Sequence, residues 1–376
     1  MKESSRLSVS ADDFMKMNRM KKWRHGLVIL MGMMQLASAQ YNEWRFSGAM
    51  WLLTTPEGAN LPASATVTDF PVLIRLHKES FNFSQVKANG EDLRVSANGK
   101  PLSYQIEQWD SAAGTASIWV RVPSITGNSR QAIRLHWGKP DASSESNGAA
   151  VFNEANGFLS VWHMTEPVKD EVGTLESKDV GTTPTLGMIG PARHFAGKQG
   201  IHCGEAITKL PSAASPHSTE VWYQSAAANM DIVCWGQEGT PAGKVRMQIK
   251  SPAHIYVDSD GGSIHSSRAL PKSEWIQVVH TYNGEIGQIY VNGQPDVAAP
   301  TRTTMKILNP ARMWIGGWYN NYNFVGDIDE VRVSKVARSA DWVRLAYENQ
   351  KALQTLTGHL VVPGKAFAVS VPKSIY

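Results

Sequence analysis

Three of the six Asn-Gly dipeptides, those at 98–99, 283–284 and 292–293, each separate two short runs rich in β-branched and aromatic residues. Asn-Gly readily takes positive φ at both central positions of a two-residue turn, so the chain is set to reverse at these points as an antiparallel hairpin. The same texture continues on both sides. Residues 70–76 read as a strand, with Pro71 at its start where a missing N–H is tolerated, and 117–122 and 132–138 put apolar side chains on one face and polar ones on the other, as a half-covered sheet requires. Further runs follow at 158–163, 220–223, 232–235, 245–249, 254–257, 275–282, 288–291 and 313–317. Helical spacing is read once, where Ser339 is placed as N-cap, Asp341 in the first turn, and Trp342, Leu345 and Ala346 on one face. Thirteen Trp, 31 Gly and 19 Pro in 376 residues fit a turn-rich all-β protein. The expected fold is all-β: an N-terminal β-sandwich, then a larger jelly-roll sandwich closed by one C-terminal helix.

The N-terminus reads as an export signal. Residues 20–25 are a basic n-region, residues 26–36 an apolar stretch, and Ala37-Ser38-Ala39 a small-x-small cleavage pattern. The apolar run is shorter than the roughly 20 residues a membrane span needs. Met20 reads as the initiator and residues 1–19 as an over-extended start. The expected organisation is 1–39 extension and signal peptide, 40–152 first sandwich, 153–351 second sandwich, and 352–376 linker or the start of a further domain. Export makes Cys203 and Cys234 candidates for a disulfide; the alternative is two buried thiols. A formal charge of +4 with no basic stripe gives no indication of a nucleic-acid partner.

Two sets of residues carry resemblances. Phe70-Pro71-Val72-Leu73-Ile74, Asn89-Gly90-Glu91-Asp92-Leu93-Arg94, Leu102 to Trp109, Ala116 to Pro123 and Leu135-His136-Trp137-Gly138 are similar to successive blocks of a bacterial domain of unknown function. That family precedes laminin-G-like domains in exported proteins, and in some chains an ExbB/TolQ/MotA-type proton-channel subunit. Trp162-His163, Arg193 to Gly197, Glu220 to Tyr223, Trp275 to Tyr282, Ile289 to Gly293, Ile315-Gly316-Gly317 and Phe324 to Val333 resemble the landmarks of the concanavalin A-like, laminin-G-like (LamG) jelly roll. This second resemblance implies a binding module for glycans or extracellular proteins, sometimes with calcium. The first implies an alternative role, an envelope scaffold beside an ExbB-type membrane complex.

Chemistry is hardest to place in Phe324-Val325-Gly326-Asp327-Ile328-Asp329-Glu330-Val331-Arg332-Val333, which holds three carboxylates in four positions. A jelly-roll glycoside hydrolase needs paired carboxylates in one cleft. Regular strand parity puts Asp327 and Asp329 on one face and Glu330 on the other, so the pair is incomplete. Asp329 shares parity with Val331 and Val333 and is therefore expected to point inward as a structural fastener. Ile328 has the opposite parity, and a bulge at Asp329-Glu330 reconciles the two apolar sets. Asp258, Asp260 and Asp327 are oxygen donors of the type calcium takes, although 258–262 also suits a solvated turn. For ligand binding, Trp318, Tyr319, Asn320, Asn321 and Tyr322 join two strands and mix aromatic faces with amides; the alternative is a loop whose rings pack down. No Gly-x-Ser-x-Gly, His-Glu-x-x-His or phosphate-loop pattern occurs. The functional expectation is an exported, non-enzymatic binding protein whose partner is a polysaccharide or a cell-surface glycan or protein.

Overall fold

A computed structural model describes residues 40–362 except 240, 260, 297–300 and 303. Residues 1–39, where a signal peptide is expected, Asp260 and residues 363–376 therefore lie outside the described residues.

The first sandwich is built from β1 (Phe46–Leu53), β2 (Thr66–His77), β3 (Arg94–Ala97), β4 (Lys100–Pro101), β5 (Tyr104–Asp110), β6 (Thr115–Thr126) and β7 (Arg130–Trp137). Its sheets run β1-β7-β3-β4 and β2-β6-β5. Asn98 and Gly99 turn β3 into β4 with φ of 50° and 73°, the left-handed pair their identities predict. β1 escapes the sequence pattern because Ser47, Gly48 and Ala49 interrupt its apolar residues.

A short helix, α1 (Gly148–Val151), leads into the second sandwich. Its strands are β8 (Phe158–Trp162), β9 (Lys178–Val180), β10 (Thr183–Leu186), β11 (Pro191–Ala196), β12 (Gly200–Ile207), β13 (His217–Gln224), β14 (Met230–Gly236), β15 (Lys244–Lys250) and β16 (His254–Asp258). There follow β17 (Ile264–His265), β18 (Ile276–Tyr282), β19 (Ile286–Val291), β20 (Gln294–Pro295), β21 (Thr301–Arg302), β22 (Ala311–Ile315), β23 (Gly317–Trp318), β24 (Asn321–Tyr322) and β25 (Val325–Ser334), then helix α2 (Ala340–Gln350). A nine-stranded sheet has the order β10-β11-β25-β13-β18-β19-β20, with β8 beside β25 and β21 beside β19. The facing seven-stranded sheet runs β17-β16-β15-β14-β22-β12-β9.

The acidic strand is β25, and three strands close on it. β13 pairs along one edge; β11 takes the first half of the other edge and β8 the second half. The register passes from Trp222↔Asp329 to Glu220↔Arg332, so Val221 faces two residues, and Glu330 sits at the bulge with φ 50°. The bulge lets Ile328, Val331 and Val333 all enter the second core. It also corrects the expected direction of Asp329. That carboxylate leaves the core side with Glu330 and Arg332 and is buried instead beneath the first sandwich, where the Ile189 N–H donates to it at 3.0 Å.

The two cores meet rather than being joined by a linker. Val151, Phe152, Phe158, Val161, Ile189 and the α2 residues Trp342, Leu345 and Ala346 all belong to the first core. Residues 352–362, expected as linker or the start of another domain, run along β1: Leu52 bridges Thr357, Ala49 bridges Val361, and Leu356 and Leu360 are buried. Both cysteines are free thiols, which overturns the disulfide. The physical reason is that β22 lies between β12 and β14, and Cys203 enters the main core while Cys234 packs with Trp314 and Trp318.

Candidate functional site

Two regions hold unusual chemistry. The first is sealed between the sandwiches, on the outer face of the nine-stranded sheet. β25 supplies Glu330 and Arg332, β5 supplies Glu107, β6 supplies Trp119, and His163 follows β8. Arg332 donates to Glu330 Oε2 from Nε at 3.0 Å and Nη2 at 2.6 Å. His163 Nδ1 pairs with Glu330 Oε1 and lies 3.7 Å from Glu107 Oε2. The other ring nitrogen, Nε2, meets Gln105 Oε1 at 3.2 Å. Trp119 donates from Nε1 to Glu107 Oε2 at 2.6 Å, stacks on His163, and lies beneath the Arg332 guanidinium, 4.5 Å from ring centre to Cζ. Glu220 on β13 accepts from Gln277 at 3.1 Å and from Gln350 at 3.3 Å, tying the same cluster to α2.

Electrostatics divides these carboxylates. Burial pushes Glu107 up to about 7, with His163 pulling in the other direction. Burial, then Glu330 and Glu107, raise Asp329 well above the carboxylate range. Glu330 is lowered despite its burial, because His163 and Arg332 face it. Burial opposes the charge on His163, yet Glu330 and Glu107 beside it hold it above its ordinary value. Two oxygens, Glu107 Oε1 and Asp329 Oδ1, are buried without any hydrogen-bond partner. Among the described residues, Glu107, His163 and Glu330 are the one set of three or more ligand-type groups whose donor atoms converge, all within 4.8 Å of one another.

The second region is the outer face of the seven-stranded sheet. Core positions Val245, Met247 and Ile249 alternate with Lys244, Arg246, Gln248 and Lys250, and Ile255 and Val257 alternate with His254, Tyr256 and Asp258. Arg246 grips Asp231 from Nε at 2.7 Å and Nη2 at 3.0 Å, and Gln248 and Asn323 also donate to that carboxylate. Tyr256 stacks on His265 with centroids 5.0 Å apart, and Lys250 Nζ lies 4.7 Å from the Tyr256 ring centre. Whereas α2 and the first sandwich cover the nine-stranded sheet, this face carries the small ribbon β23–β24 and, among the described residues, no helix or second sandwich.

That ribbon is the aromatic loop read from the sequence, and its rings pack down. Trp318 is 5% exposed, donates to Glu238 at 2.6 Å and meets Trp314 edge-on. Tyr319 stacks on Trp314 beneath Arg312, and Tyr322 fills the space beside Gly200. Asn320 accepts from Trp314 Nε1 at 3.2 Å, and Asn320 and Asn321 stay exposed. The calcium candidates are not brought together, since Asp258 lies in the seven-stranded sheet and Asp327 in the nine-stranded one. Asp327 pairs with His194 Nδ1 at 2.7 Å, and Asp258 accepts from Ser263 at 2.8 Å. Sequence reading missed Arg246, Lys250 and Tyr256, although strand alternation on β15 and β16 signals them. His163 gives no local signal, because its partners Gln105 and Glu330 lie 58 and 167 residues away, and Glu107 meets Trp119 only across the β5–β6 pairing.

Comparison with known proteins fits this architecture. Residues 198–344 match the family described as Concanavalin A-like lectin/glucanases superfamily. Residues 89–164 match a Domain of unknown function (DUF2341). The chain is thus nearly all-β, with a concanavalin A-like domain following the first sandwich. Among solved structures, domain 4 of AbnA, a GH43 extracellular arabinanase from Geobacillus stearothermophilus in complex with arabinotriose, is 15% identical with TM-score 0.42, covering 50% of this chain and 97% of that one. The binding domain of botulinum neurotoxin serotype D is 15% identical with TM-score 0.41, covering 52% of this chain and 51% of that one, about half its length. A SAP-like pentraxin from Limulus polyphemus is 13% identical with TM-score 0.31, covering 45% and 92%. Likeness at this level carries no functional weight. No curated protein matches the chain.

Proposed function

We propose that this chain is an exported, non-enzymatic binding protein that takes a polysaccharide or a cell-surface glycan or protein on the outer face of its seven-stranded sheet. The observation that carries the reading is the asymmetry of the second sandwich. One sheet is roofed by α2 and the first sandwich, while the other presents Arg246, Lys250, Tyr256 and His265 in a row of cationic and aromatic groups. Aromatic faces stack on sugar rings, and fixed polar groups orient hydroxyls or carboxylates. The fold-family description supports binding as readily as hydrolysis. Against hydrolysis stands Asp329, fully buried under the first sandwich and so withdrawn from any cleft shared with Asp327.

The test is binding of residues 40–376 to a glycan array and to insoluble polysaccharides. Lys250→Ala and Tyr256→Ala are each expected to weaken binding about tenfold, ~1.4 kcal/mol, with the melting temperature unchanged. Absence of glycan binding together with co-purification of proton-channel subunits would replace this reading with the envelope-scaffold one. Polysaccharide turnover abolished by Asp327→Asn or Asp329→Asn, with the fold intact, would make the protein an enzyme.

A further inference from the structure

We propose that Glu107, His163 and Glu330 form a structural metal site for a zinc-type divalent cation, clamping the two sandwiches across their interface. The ligands come from both sides: Glu107 from β5 of the first sandwich, His163 and Glu330 from the second. One imidazole and two carboxylates are a donor set suited to zinc or manganese, whereas calcium takes oxygen alone. Zinc bonds of about 2.0–2.1 Å in a tetrahedron put neighbouring ligand atoms roughly 3.3 Å apart. His163 Nδ1 and Glu107 Oε2 stand at 3.7 Å, while His163 Nδ1 and Glu330 Oε1 are in direct hydrogen-bond contact and must part to admit the ion.

Each ligand is oriented from behind, as metal ligands characteristically are. Trp119 Nε1 holds Glu107, and Arg332 holds the far oxygen of Glu330. Nε2 faces Gln105 Oε1, so when an ion displaces the proton shared by His163 Nδ1 and Glu330 Oε1 the ring keeps its proton on Nε2 and ligates through Nδ1. An unpartnered oxygen on one of the ligands supplies an independent argument. Glu107 Oε1 is buried and has no partner in hydrogen-bond range. Protonating it exchanges an orphaned acceptor for an orphaned donor, and both cost free energy in a buried site. A cation satisfies carboxylate oxygens without needing an acceptor. The site is closed on every side, with His163 and Glu330 side chains 1% and 0% exposed, which suits a structural rather than a catalytic ion.

The test uses the full chain and does not depend on the glycan reading. Protein purified without chelator is analysed by elemental mass spectrometry. It is then unfolded in guanidinium with chelator and refolded with zinc, with manganese, with calcium or with no metal. The expected result is close to one zinc or manganese per chain, lost in Glu107→Gln and retained in Asp258→Asn. Refolding without metal should lower the melting temperature by at least about 4 °C, and zinc or manganese should restore it. Metal-free protein whose melting temperature ignores all three ions overturns the proposal. So does a response to calcium alone, or a metal that Glu107→Gln retains.

Discussion

Glu330 adopts φ 50°, a conformation side chains other than glycine rarely take, and the ion pairs around it account for its persistence there. Its two oxygens are divided between Arg332 and His163, and all three side chains are buried. Breaking a buried pair by removing one partner is far costlier than replacing both. Arg332→Met is therefore expected to destabilise the protein by about 3–5 kcal/mol in urea unfolding. A double-mutant cycle with Glu330→Gln should return a coupling of at least about 1 kcal/mol; additive losses would sink the pairing. A second residue-scale expectation concerns His217 and His280, whose rings lie 5.5 Å apart in the second core beside Trp235 and Tyr282. Burial lowers His217 to about 4, and burial together with His217 lowers His280 well below its ordinary value. Between about 4 and the ordinary 6.5 the unfolded chain binds more protons than the folded one, so stability must fall as pH drops through that window. Unfolding free energies measured from pH 7 down to 4.5 should fall less steeply in His217→Gln/His280→Gln than in the parent. Equal slopes in the two proteins would rule the pair out as the source.

Helix α2 shows what a single element contributes when it has two apolar faces. Trp342, Leu345 and Ala346 enter the first core, while Val343 meets Val279 and Tyr290 on the nine-stranded sheet and Tyr347 stacks on Trp222. Its C-terminus also finishes an edge strand. Among the described strands β2 pairs with β6 alone, and Asn349 treats its other side as a neighbouring strand would, accepting from Leu73 N at 2.6 Å and donating to Leu73 O at 3.0 Å. Arg75 returns the favour by donating to the last helical carbonyls, Gln350 O at 2.7 Å and Lys351 O at 3.1 Å. Asn349→Leu preserves volume and orphans the Leu73 N–H, so a loss of about 1–3 kcal/mol is expected in chemical denaturation; an unchanged midpoint would refute the clamp. The helix itself was legible in the sequence: Ser339 accepts from Trp342 N at 3.2 Å, as its N-cap position predicts. The hairpins at 98–99 and 292–293 were legible for the same reason, since their φ preferences act within four residues. The aromatic ribbon was legible as a turn but not as a packed one. Whether Trp318 faces solvent or Glu238 depends on a residue 80 positions away. Parity exposed the conflict in β25 and located its bulge, yet could not show that the first sandwich waits above Asp329.

At the scale of the molecule, the sequence boundary at 152 and the end of the second sandwich at 351 divide what the packing joins. The first core takes residues from before 152, from 158–189, from α2 and from Leu356 and Leu360, so the chain leaves the first sandwich and returns to it after completing the second. A unit assembled from both ends of the sequence cannot close until the intervening domain has folded, because the return segment reaches β1 only through α2. Interfaces as apolar and ion-paired as this one make domains unfold together, whereas linker-joined domains unfold separately. Calorimetry on residues 40–376 is expected to give one transition with equal calorimetric and van't Hoff enthalpies. Leu360→Ala, at a site 1% exposed, should cost about 2–5 kcal/mol and lower that single transition as a whole, although its contacts lie along β1. If the variant instead splits the melt into two transitions, one shifted and one at the parent temperature, the two sandwiches are energetically separate. The first sandwich expressed as residues 40–152 supplies the complementary measurement. Without α2 and the return segment it exposes Trp119, Phe152 and the β2 edge, and hydrophobic-dye binding with broad unfolding is the expected outcome; a sharp, dye-free melt would show that the first core is complete by itself.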